Sequence, residues 1–165
     1  MDTAEPTDLE LIAAYRQDGH SGHVGELFRR HLGKMRGMLY QLTLNHADAD
    51  DLTQEVFLRA QRGLAGFGGR AEFSTWLHRI ALNCVRSHWA RQSRRPVAGI
   101  EQMPEPAAPG GERPDRRMAA AEFDRRIRAA LEQLSPKLRA AIVLTVLQEK
   151  PMPEAARIEG CALAT

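Results

Sequence analysis

The chain has 165 residues, with 23 Lys and Arg against 21 Asp and Glu, two Cys and 43% hydrophobic residues. This length allows one ordinary domain or two small ones, and neither hydrophobic depletion nor extreme charge indicates disorder. No apolar run approaches the roughly 18 residues of a membrane span, and the acidic, polar N-terminus is unlike a signal peptide. Two cysteines without metal-ligand spacing exclude a disulfide framework, so we expect a reducing, cytoplasmic location.

The net charge of +2 averages three unlike blocks. Residues 1–60 carry 6 basic and 10 acidic residues, residues 61–95 carry 7 and 1, and residues 96–165 carry 10 and 10. The short basic block predicts a focused surface for a polyanion, although a solvated helix face would give the same count. Arg outnumbers Lys 20 to 3. Arg suits phosphate and base contacts, and a GC-rich genome produces the same bias.

Hydrophobic periodicity predicts four helices in the N-terminal half. Thr7 or Asp8 can cap the first helix and Ser21 the second. Asp48 begins the third, with further carboxylates in its first turn that favour the helix dipole. A glycine-rich turn over Gly63–Gly69 separates the third helix from the fourth. Three glycines each weaken the second helix by up to about 1 kcal/mol relative to Ala, and close helix packing would account for them. They are Gly25, Gly33 and Gly37.

The fourth predicted helix is the clearest element of the sequence. Apolar residues from Phe73 to Trp89 recur at spacings of three and four and form one continuous stripe. Trp76 and Trp89 lie on this stripe, so we expect them in the core. The helix should continue into Arg94 and Arg95 and stop at Pro96. Its opposite, polar and basic face carries Thr75, His78, Arg79, Asn83, Arg86, Ser87 and Arg91.

Residues 96–115 contain five Pro and three Gly, a composition typical of a linker. Beyond it the pattern is again helical, and the apolar spacing from Met118 to Leu134 predicts one helix. Ser135 is a helix cap followed by Pro136 at the first helical position. The apolar positions of that helix are Leu138, Ile142, Val143, Val146 and Leu147. A short helix over residues 154–159 then ends at a turn on Gly160, which is how a helix-turn-helix motif begins.

Motifs for catalysis are absent: the sequence has no P-loop, no GxSxG and no HExxH. His20 and His23 lie in a Gly/Ser turn without a third ligand, which favours a solvated loop over a metal site. A helix N-terminus explains the acidic cluster that begins at Asp48 better than a catalytic pair does. Cys84 lies on the apolar stripe, and Cys161 lies in a turn with no base beside it. We therefore expect no enzyme activity, no cofactor and no metal.

Three ordered segments carry a resemblance to a known family. They are Asp48–Ala60 (DADDLTQEVFLRA), Phe73–Asn83 (FSTWLHRIALN) with the following Arg94-Arg95-Pro96, and Leu134–Leu147 (LSPKLRAAIVLTVL). Together they resemble bacterial sigma factors of the extracytoplasmic-function (ECF) group of the sigma-70 family. The first resembles the helix that binds core RNA polymerase, the second the segment that recognises and melts the −10 element, and the third the start of the −35-binding domain. The resemblance covers nearly the whole chain.

The resemblance implies an all-α chain of two small helical domains. Residues 1–95 would form a four-helix sigma-2-like domain, residues 96–115 a flexible linker, and residues 116–165 a sigma-4-like helix-turn-helix domain. In the family, a recognition helix follows the turn that corresponds to Gly160. This sequence ends at Thr165, so we expect the second domain to lack that helix and to recognise a −35 element poorly.

The resemblance also implies roles for matching positions. The third helix would dock on the clamp coiled coil of the largest polymerase subunit, with Leu52 and Phe57 packing inward. Its polar contacts would be Asp48, Asp51, Gln54 and Glu55. The loop Gly68–Phe73 would form the wall of a pocket for a base flipped from the −10 element, a step that costs on the order of a few kcal/mol. The DNA contacts would be Arg70, Ser74, Thr75, His78, Arg79, Asn83, Arg86, Arg91, Arg94 and Arg95.

The implied function is that of a sigma factor, which binds core RNA polymerase and directs promoter recognition and melting. The family also implies control by an anti-sigma factor, often anchored in the membrane. Two other classes of protein stay open. A stand-alone helix-turn-helix regulator would bind duplex DNA without polymerase, and the acidic third helix argues against it. A helical scaffold would make no DNA contact.

Overall fold

The computed structural model describes residues 5–94 and 114–160. The regular elements of these segments are all helical, as predicted. The helices are α1 (Asp8–Asp18), α2 (Ser21–Thr43), α3 (His46–Gly63), α4 (Phe73–Gln92), α5 (Pro114–Glu132), α6 (Pro136–Ile142) and α7 (Met152–Glu159). A 3-10 turn (Leu64–Gly66) follows α3, and a π-helical turn (Val143–Leu147) continues α6. Across the described segments, no helix combines the length and apolar character needed to cross a membrane.

Side-chain caps set the starts of α1 and α2. Thr7 caps α1 in a reciprocal box: its Oγ1 accepts from the Glu10 N–H at 3.3 Å, and the Glu10 carboxylate accepts from the Thr7 N–H at 2.6 Å. The predicted cap at Ser21 is wrong. His20 caps α2 instead, because its ring Nδ1 accepts from the Gly22 N–H at 3.2 Å.

The ends of α3 and α4 differ from the predicted ones by a few residues. α3 begins at His46 rather than Asp48, because the Asn45 side chain accepts from the Asp48 N–H at 3.1 Å and caps the helix further upstream. α4 ends at Gln92 and does not continue to Arg94, which lies in a turn. The predicted stop at Pro96 lies outside the described residues.

The three glycines inside α2 do not serve close helix packing, so that expectation is wrong. A Cβ built at any of them would find no other atom within 4 Å apart from the local helix backbone. All three face open space on the exposed side of the helix. They are Gly25, Gly33 and Gly37.

The apolar residues of α6 and its π-helical turn divide between core and solvent. Leu138 is 56% exposed, Ile142 36% and Val146 63%, although periodicity assigned all three to the apolar face. The buried residues are Ala140, Val143 and Leu144. Two apolar stripes run along this helix, and the stripe that contains the small Ala140 is the one that packs against the rest of the protein.

The C-terminal helices pack directly on the N-terminal four-helix unit. Arg139 donates from Nη1 to the Leu42 carbonyl at 3.1 Å and from Nε to the Leu131 carbonyl at 2.9 Å. Gln148 Nε2 donates to Gln41 Oε1 at 3.3 Å, which joins the end of the π-helical turn to α2. α7 lies against α4. One cluster of buried apolar side chains extends through both halves of the described chain.

Candidate polymerase and nucleic-acid interfaces

The exposed face of α3 carries the residues predicted to bind polymerase. Asp51 and Gln54 are exposed, and Asp48 and Glu55 are partly exposed. Leu58 lies one turn beyond Gln54 and is 53% exposed, so it adds apolar area to a face of polar groups. Leu58 was not among the predicted contacts, because the resemblance implied only polar contacts for this face.

The buried face of α3 agrees with prediction. Leu52 is 3% exposed and Phe57 is 9% exposed. The Phe57 ring packs on Phe28 of α2, with ring centroids 4.8 Å apart. The packing of these two residues in the core leaves the polar positions of α3 facing outward.

Two of the α3 carboxylates contact α4. Asp48 Oδ2 lies 3.3 Å from His88 Nε2 and accepts from Gln92 Nε2 at 3.4 Å. Glu55 Oε2 lies 3.8 Å from Arg91 Nη2. The predicted polymerase contacts and the predicted DNA contacts therefore adjoin along one edge, where carboxylates of α3 face basic side chains of α4.

Most of the predicted DNA contacts lie on the exposed side of α4 or in the loop before it. Because α4 contains no Asp or Glu, its positive charge is not offset along the helix itself. The exposed members of the predicted set are Arg70, Arg79, Asn83, Arg86, Arg91 and Arg94. Arg95, like Cys161, lies outside the described residues.

Thr75 and His78 are buried, in contrast to their predicted place on the polar face of α4. Thr75 is 8% exposed and His78 is 7% exposed. Thr75 Oγ1 donates to Glu154 Oε1 of α7 at 2.5 Å, and His78 Nδ1 donates to the Ser74 carbonyl at 2.5 Å. They are covered because α7 packs on this part of α4.

The buried His78 ring favours its neutral form. Burial lowers the pKa of His78 most, the Ser74 carbonyl acts in the opposite direction, and the positive charge of Lys150 lowers it again. Since Nδ1 carries the proton, Nε2 is the bare nitrogen. Within the part of the chain that the structure describes, this buried Nε2 has no hydrogen-bond partner.

Further polar contacts join α7 to α4. Arg86 Nη2 donates to Glu159 Oε2 at 2.5 Å and to the Glu159 carbonyl at 2.9 Å. Lys150 Nζ lies 2.8 Å from Glu154 Oε1 and 3.4 Å from the partly buried Ser74 Oγ. These C-terminal residues were not predicted, because periodicity within single helices carries no signal for a contact between distant segments.

A cavity of about 500 Å³ lies at the start of α4, where the resemblance implies the pocket for a flipped base. Gly69–Ser74 form one wall, close to the predicted Gly68–Phe73. The opposite wall comes from α1 and α2 and was not predicted. There, His31 Nε2 donates to Asp8 Oδ2 at 2.7 Å, and the His31 ring meets Phe73 edge-on with centroids 5.1 Å apart.

The tryptophans of α4 pack toward the core, as expected. Both Trp76 and Trp89 are partly buried against the apolar cluster. The Trp76 ring lies 5.1 Å from Phe67 and 5.7 Å from Phe73, measured between ring centroids. Cys84 is fully buried, and burial raises the pKa of its thiol, so it behaves as a small apolar residue.

Two family models match the chain. Sigma-70 region 2 matches residues 27–95, and Sigma-70 region 4 matches residues 124–165. The ECF RNA polymerase sigma factor SigM of Mycobacterium tuberculosis is 32% identical over 161 residues, which cover 98% of this chain and 78% of that protein. The ECF RNA polymerase sigma-E factor of Haemophilus influenzae is 28% identical over 96% of this chain and 87% of its own length.

Two solved structures share the fold. CnrH, solved in complex with the cytosolic domain of CnrY, has a TM-score of 0.67 and 26% identity, covering 94% of this chain and 84% of CnrH. RpoE of Bartonella quintana, solved with the anti-sigma factor NepR, has a TM-score of 0.64 and 24% identity over 84% of this chain and 83% of RpoE. The second likeness concerns the fold alone.

The chain therefore belongs to the sigma-70 family and, within it, to the ECF sigma factors. It has both sigma domains that the resemblance implied, one in each half of the sequence. Its function is to bind core RNA polymerase and to direct promoter recognition in transcription initiation. Sigma factors are non-enzymatic initiation factors.

Proposed function

We propose that this sigma factor binds core polymerase through the exposed face of α3 and promoter DNA through α4 and the loop before it. The main observation in support is the difference in charge between these two adjoining helices. α3 has exposed and half-exposed carboxylates, whereas α4 has basic side chains and no carboxylate. Oppositely charged neighbouring faces suit a protein that holds a basic or polar protein partner on one side and a polyanion on the other.

For polymerase, Asp51, Gln54 and Leu58 supply the outward-facing contacts. Asp48 and Glu55 are held by α4 and contribute from the edge of the face. A surface that combines exposed polar groups with one exposed leucine matches the mixed composition of protein–protein interfaces.

For DNA, the exposed arginines bind phosphates and the cavity at the start of α4 receives an unstacked base. Arg70 lines this cavity, and its guanidinium suits the phosphate beside a flipped nucleotide. The Asp8–His31 pair is partly exposed and offers polar groups to the base edge, while the buried Phe73 ring supports His31 from behind. Thr75 and His78 are proposed contacts only when α7 is displaced.

An anti-sigma factor is the proposed regulator. The support is that CnrH and RpoE, which share this fold, were solved in complex with the cytosolic domain of CnrY and with the anti-sigma factor NepR. We further propose that the protein acts in the cytoplasm and catalyses no reaction itself. Its domains are proposed as residues 1–95 and 116–165, joined by residues 96–115, although α5 begins at Pro114.

The polymerase face is tested by a pull-down with purified core polymerase. Asp51→Arg should weaken retention at least tenfold, because it places a positive charge at the centre of the exposed α3 face. Asp124→Arg makes the same charge change on the exposed side of α5 and should bind like the wild type. Equal retention of both variants would contradict the docking proposal.

The DNA face is tested by permanganate footprinting of melted promoter DNA with the reconstituted holoenzyme on a promoter library. Arg79→Glu should abolish open-complex formation while retention on polymerase stays unchanged. Arg125→Glu, an exposed arginine of α5, is the matched control. Normal promoter melting by the Arg79 variant would show that the placement of DNA on α4 is wrong. Tight binding of duplex DNA by the protein without polymerase would favour the stand-alone regulator.

A further inference from the structure

The contact between α7 and α4 covers part of the surface that we propose for DNA, and the following inference rests on that proposed function. Thr75 and His78 are buried beneath α7, and Arg86 is engaged by Glu159. These residues belong to the predicted DNA-binding set. In this arrangement promoter DNA and α7 need the same face of α4.

The groups that α7 presents resemble those of a nucleic-acid backbone. Glu159 gives Arg86 a carboxylate oxygen and a carbonyl oxygen, and the side chain of Glu159 is 10% exposed. A guanidinium recognises carboxylate and phosphate oxygens by the same charge-assisted geometry. Glu154 accepts from Thr75 Oγ1 and so uses a hydroxyl that is proposed to contact DNA. Both groups of α7 are therefore acceptors placed on donors of α4.

The Glu154 carboxylate is stabilised in its charged form. Burial acts to raise its pKa, but hydrogen bonds from Lys150 and Thr75 outweigh burial, and the pKa of Glu154 is lowered. At neutral pH this group is an anion that accepts from the Thr75 hydroxyl of α4 and pairs with Lys150, which precedes α7.

The same interface has polar groups that lack partners, which favours its release. Among the described residues, the buried side-chain atoms without a hydrogen-bond partner are His78 Nε2 and Glu159 Oε1. Each buried unsatisfied polar atom costs free energy that is recovered when water reaches it. Apolar anchoring by α7 itself is limited to Ala155 and Ile158, while Met152 is 65% exposed. The contact is specific, but it is small and incompletely satisfied.

We infer that α7 is an intramolecular competitor of promoter DNA, which holds the free chain in a closed state where Glu154 and Glu159 occupy the DNA-binding donors of α4. DNA binding then requires α7 to leave. The affinity of the free chain for DNA is reduced by the fraction of molecules that are open. Removing the two carboxylates raises that fraction.

The test measures binding of the full-length chain to a fluorescein-labelled, single-stranded DNA of random sequence at one fixed salt concentration. Glu154→Ala with Glu159→Ala should bind at least tenfold more tightly than the wild type. Glu122→Ala with Glu132→Ala removes the same charge from exposed positions of α5 and should change the Kd less than twofold. Equal gains in both double variants would overturn the inference.

A second arm closes the chain without touching α4 or α7. Gln41→Cys with Gln148→Cys, in a Cys161→Ser background, places two thiols at a contact where the wild-type side chains are 3.3 Å apart. Cys84 is fully buried and stays unmodified. Joining the thiols with a short bis-maleimide should weaken DNA binding at least tenfold relative to the same variant blocked with N-ethylmaleimide. If the Glu154/Glu159 double variant loses its helical circular dichroism, this cross-linking experiment tests the inference in its place. Unchanged DNA binding by the cross-linked chain would overturn the inference.

Adding Arg79→Glu to each chain shows which proposal is wrong if the test fails: the competition between α7 and DNA, or the DNA-binding face of α4. If Arg79→Glu weakens DNA binding but the Glu154/Glu159 variant matches its control, the intramolecular competition is wrong and the DNA face of α4 stands. If Arg79→Glu has no effect in any background, the proposed DNA face itself is wrong.

Discussion

At the scale of single residues, His78 connects three helices of the protein. It lies on α4, and its pKa responds to Glu154 of α7, to Lys150 just before α7 and to His31 of α2. Periodicity places His78 on the polar face of α4 but does not predict its burial. The reason is that periodicity describes which side of a helix a residue occupies. It does not describe which distant helix covers that side.

The buried His78 predicts a pH dependence of stability. Because burial lowers the pKa of His78 in the folded protein below its ordinary 6.5, the unfolded chain takes up a proton at higher pH than the folded one. The contribution of neutral His78 to the free energy of unfolding is fully present above pH 6.5. It is lost as the pH falls from 6.5 through the lowered pKa of the folded protein. We expect the urea concentration at the unfolding midpoint to decrease as the pH is lowered from about 7.5 to about 5.5. The decrease should be smaller in His78→Asn. Equal slopes in both proteins would contradict this assignment.

At the scale of helices, caps and apolar spacing predicted the order of the α-helices in the described segments. Thr7 and Ser135 cap α1 and α6 as expected. The errors came from competing local groups: His20 caps α2 in place of Ser21. In α6, two apolar stripes are equally regular, and tertiary packing selects the one with Ala140. A single helix pattern cannot choose between such stripes.

Two glycines with opposite backbone requirements provide a test of how α1 and α2 are built. Gly33 lies inside α2 and has open space where a Cβ would project, so Gly33→Ala should stabilise the protein by up to about 1 kcal/mol. Gly19 also has open space, but it ends α1 at φ +69°. Gly19→Ala should therefore destabilise by about 1 kcal/mol through backbone strain alone. Urea unfolding measures both changes, and a change of the same sign in both would refute this assignment of the two glycines.

At the scale of the whole molecule, the family segments were recognisable in the sequence, but the closed arrangement of the two halves was not. The outward-facing residues of α3 could be predicted from the spacing within one helix, which places Asp51 and Gln54 on the exposed side and Leu52 on the buried side. The cavity and the α7 contact needed residues far apart in sequence. Asp8 and His31 meet the loop before α4 from one side, and Glu154 and Glu159 meet α4 from another. These pairs have no signature in one sequence.

The continuous apolar cluster predicts that both halves unfold together. Trp89 lines a cavity with Pro136 and Ala140 of α6, so it also senses the C-terminal half. In a Trp89→Phe reference chain, tryptophan fluorescence reports the N-terminal half through Trp76, whereas far-ultraviolet circular dichroism reports helices of both halves. In this reference chain the two urea midpoints should coincide. Ile158 is 3% exposed and anchors α7, so Ile158→Ala should cost about 2–5 kcal/mol in the C-terminal half.

That loss should separate the two probes, because the C-terminal helices would then unfold before Trp76 changes environment. Leu138→Ala is the matched control, since Leu138 is 56% exposed on the free side of α6 and its loss leaves the contact with α4 intact. Its two midpoints should still coincide. Separate midpoints in the reference chain would mean that the cluster does not couple the halves, and the α7 contact would then be too weak to compete with DNA.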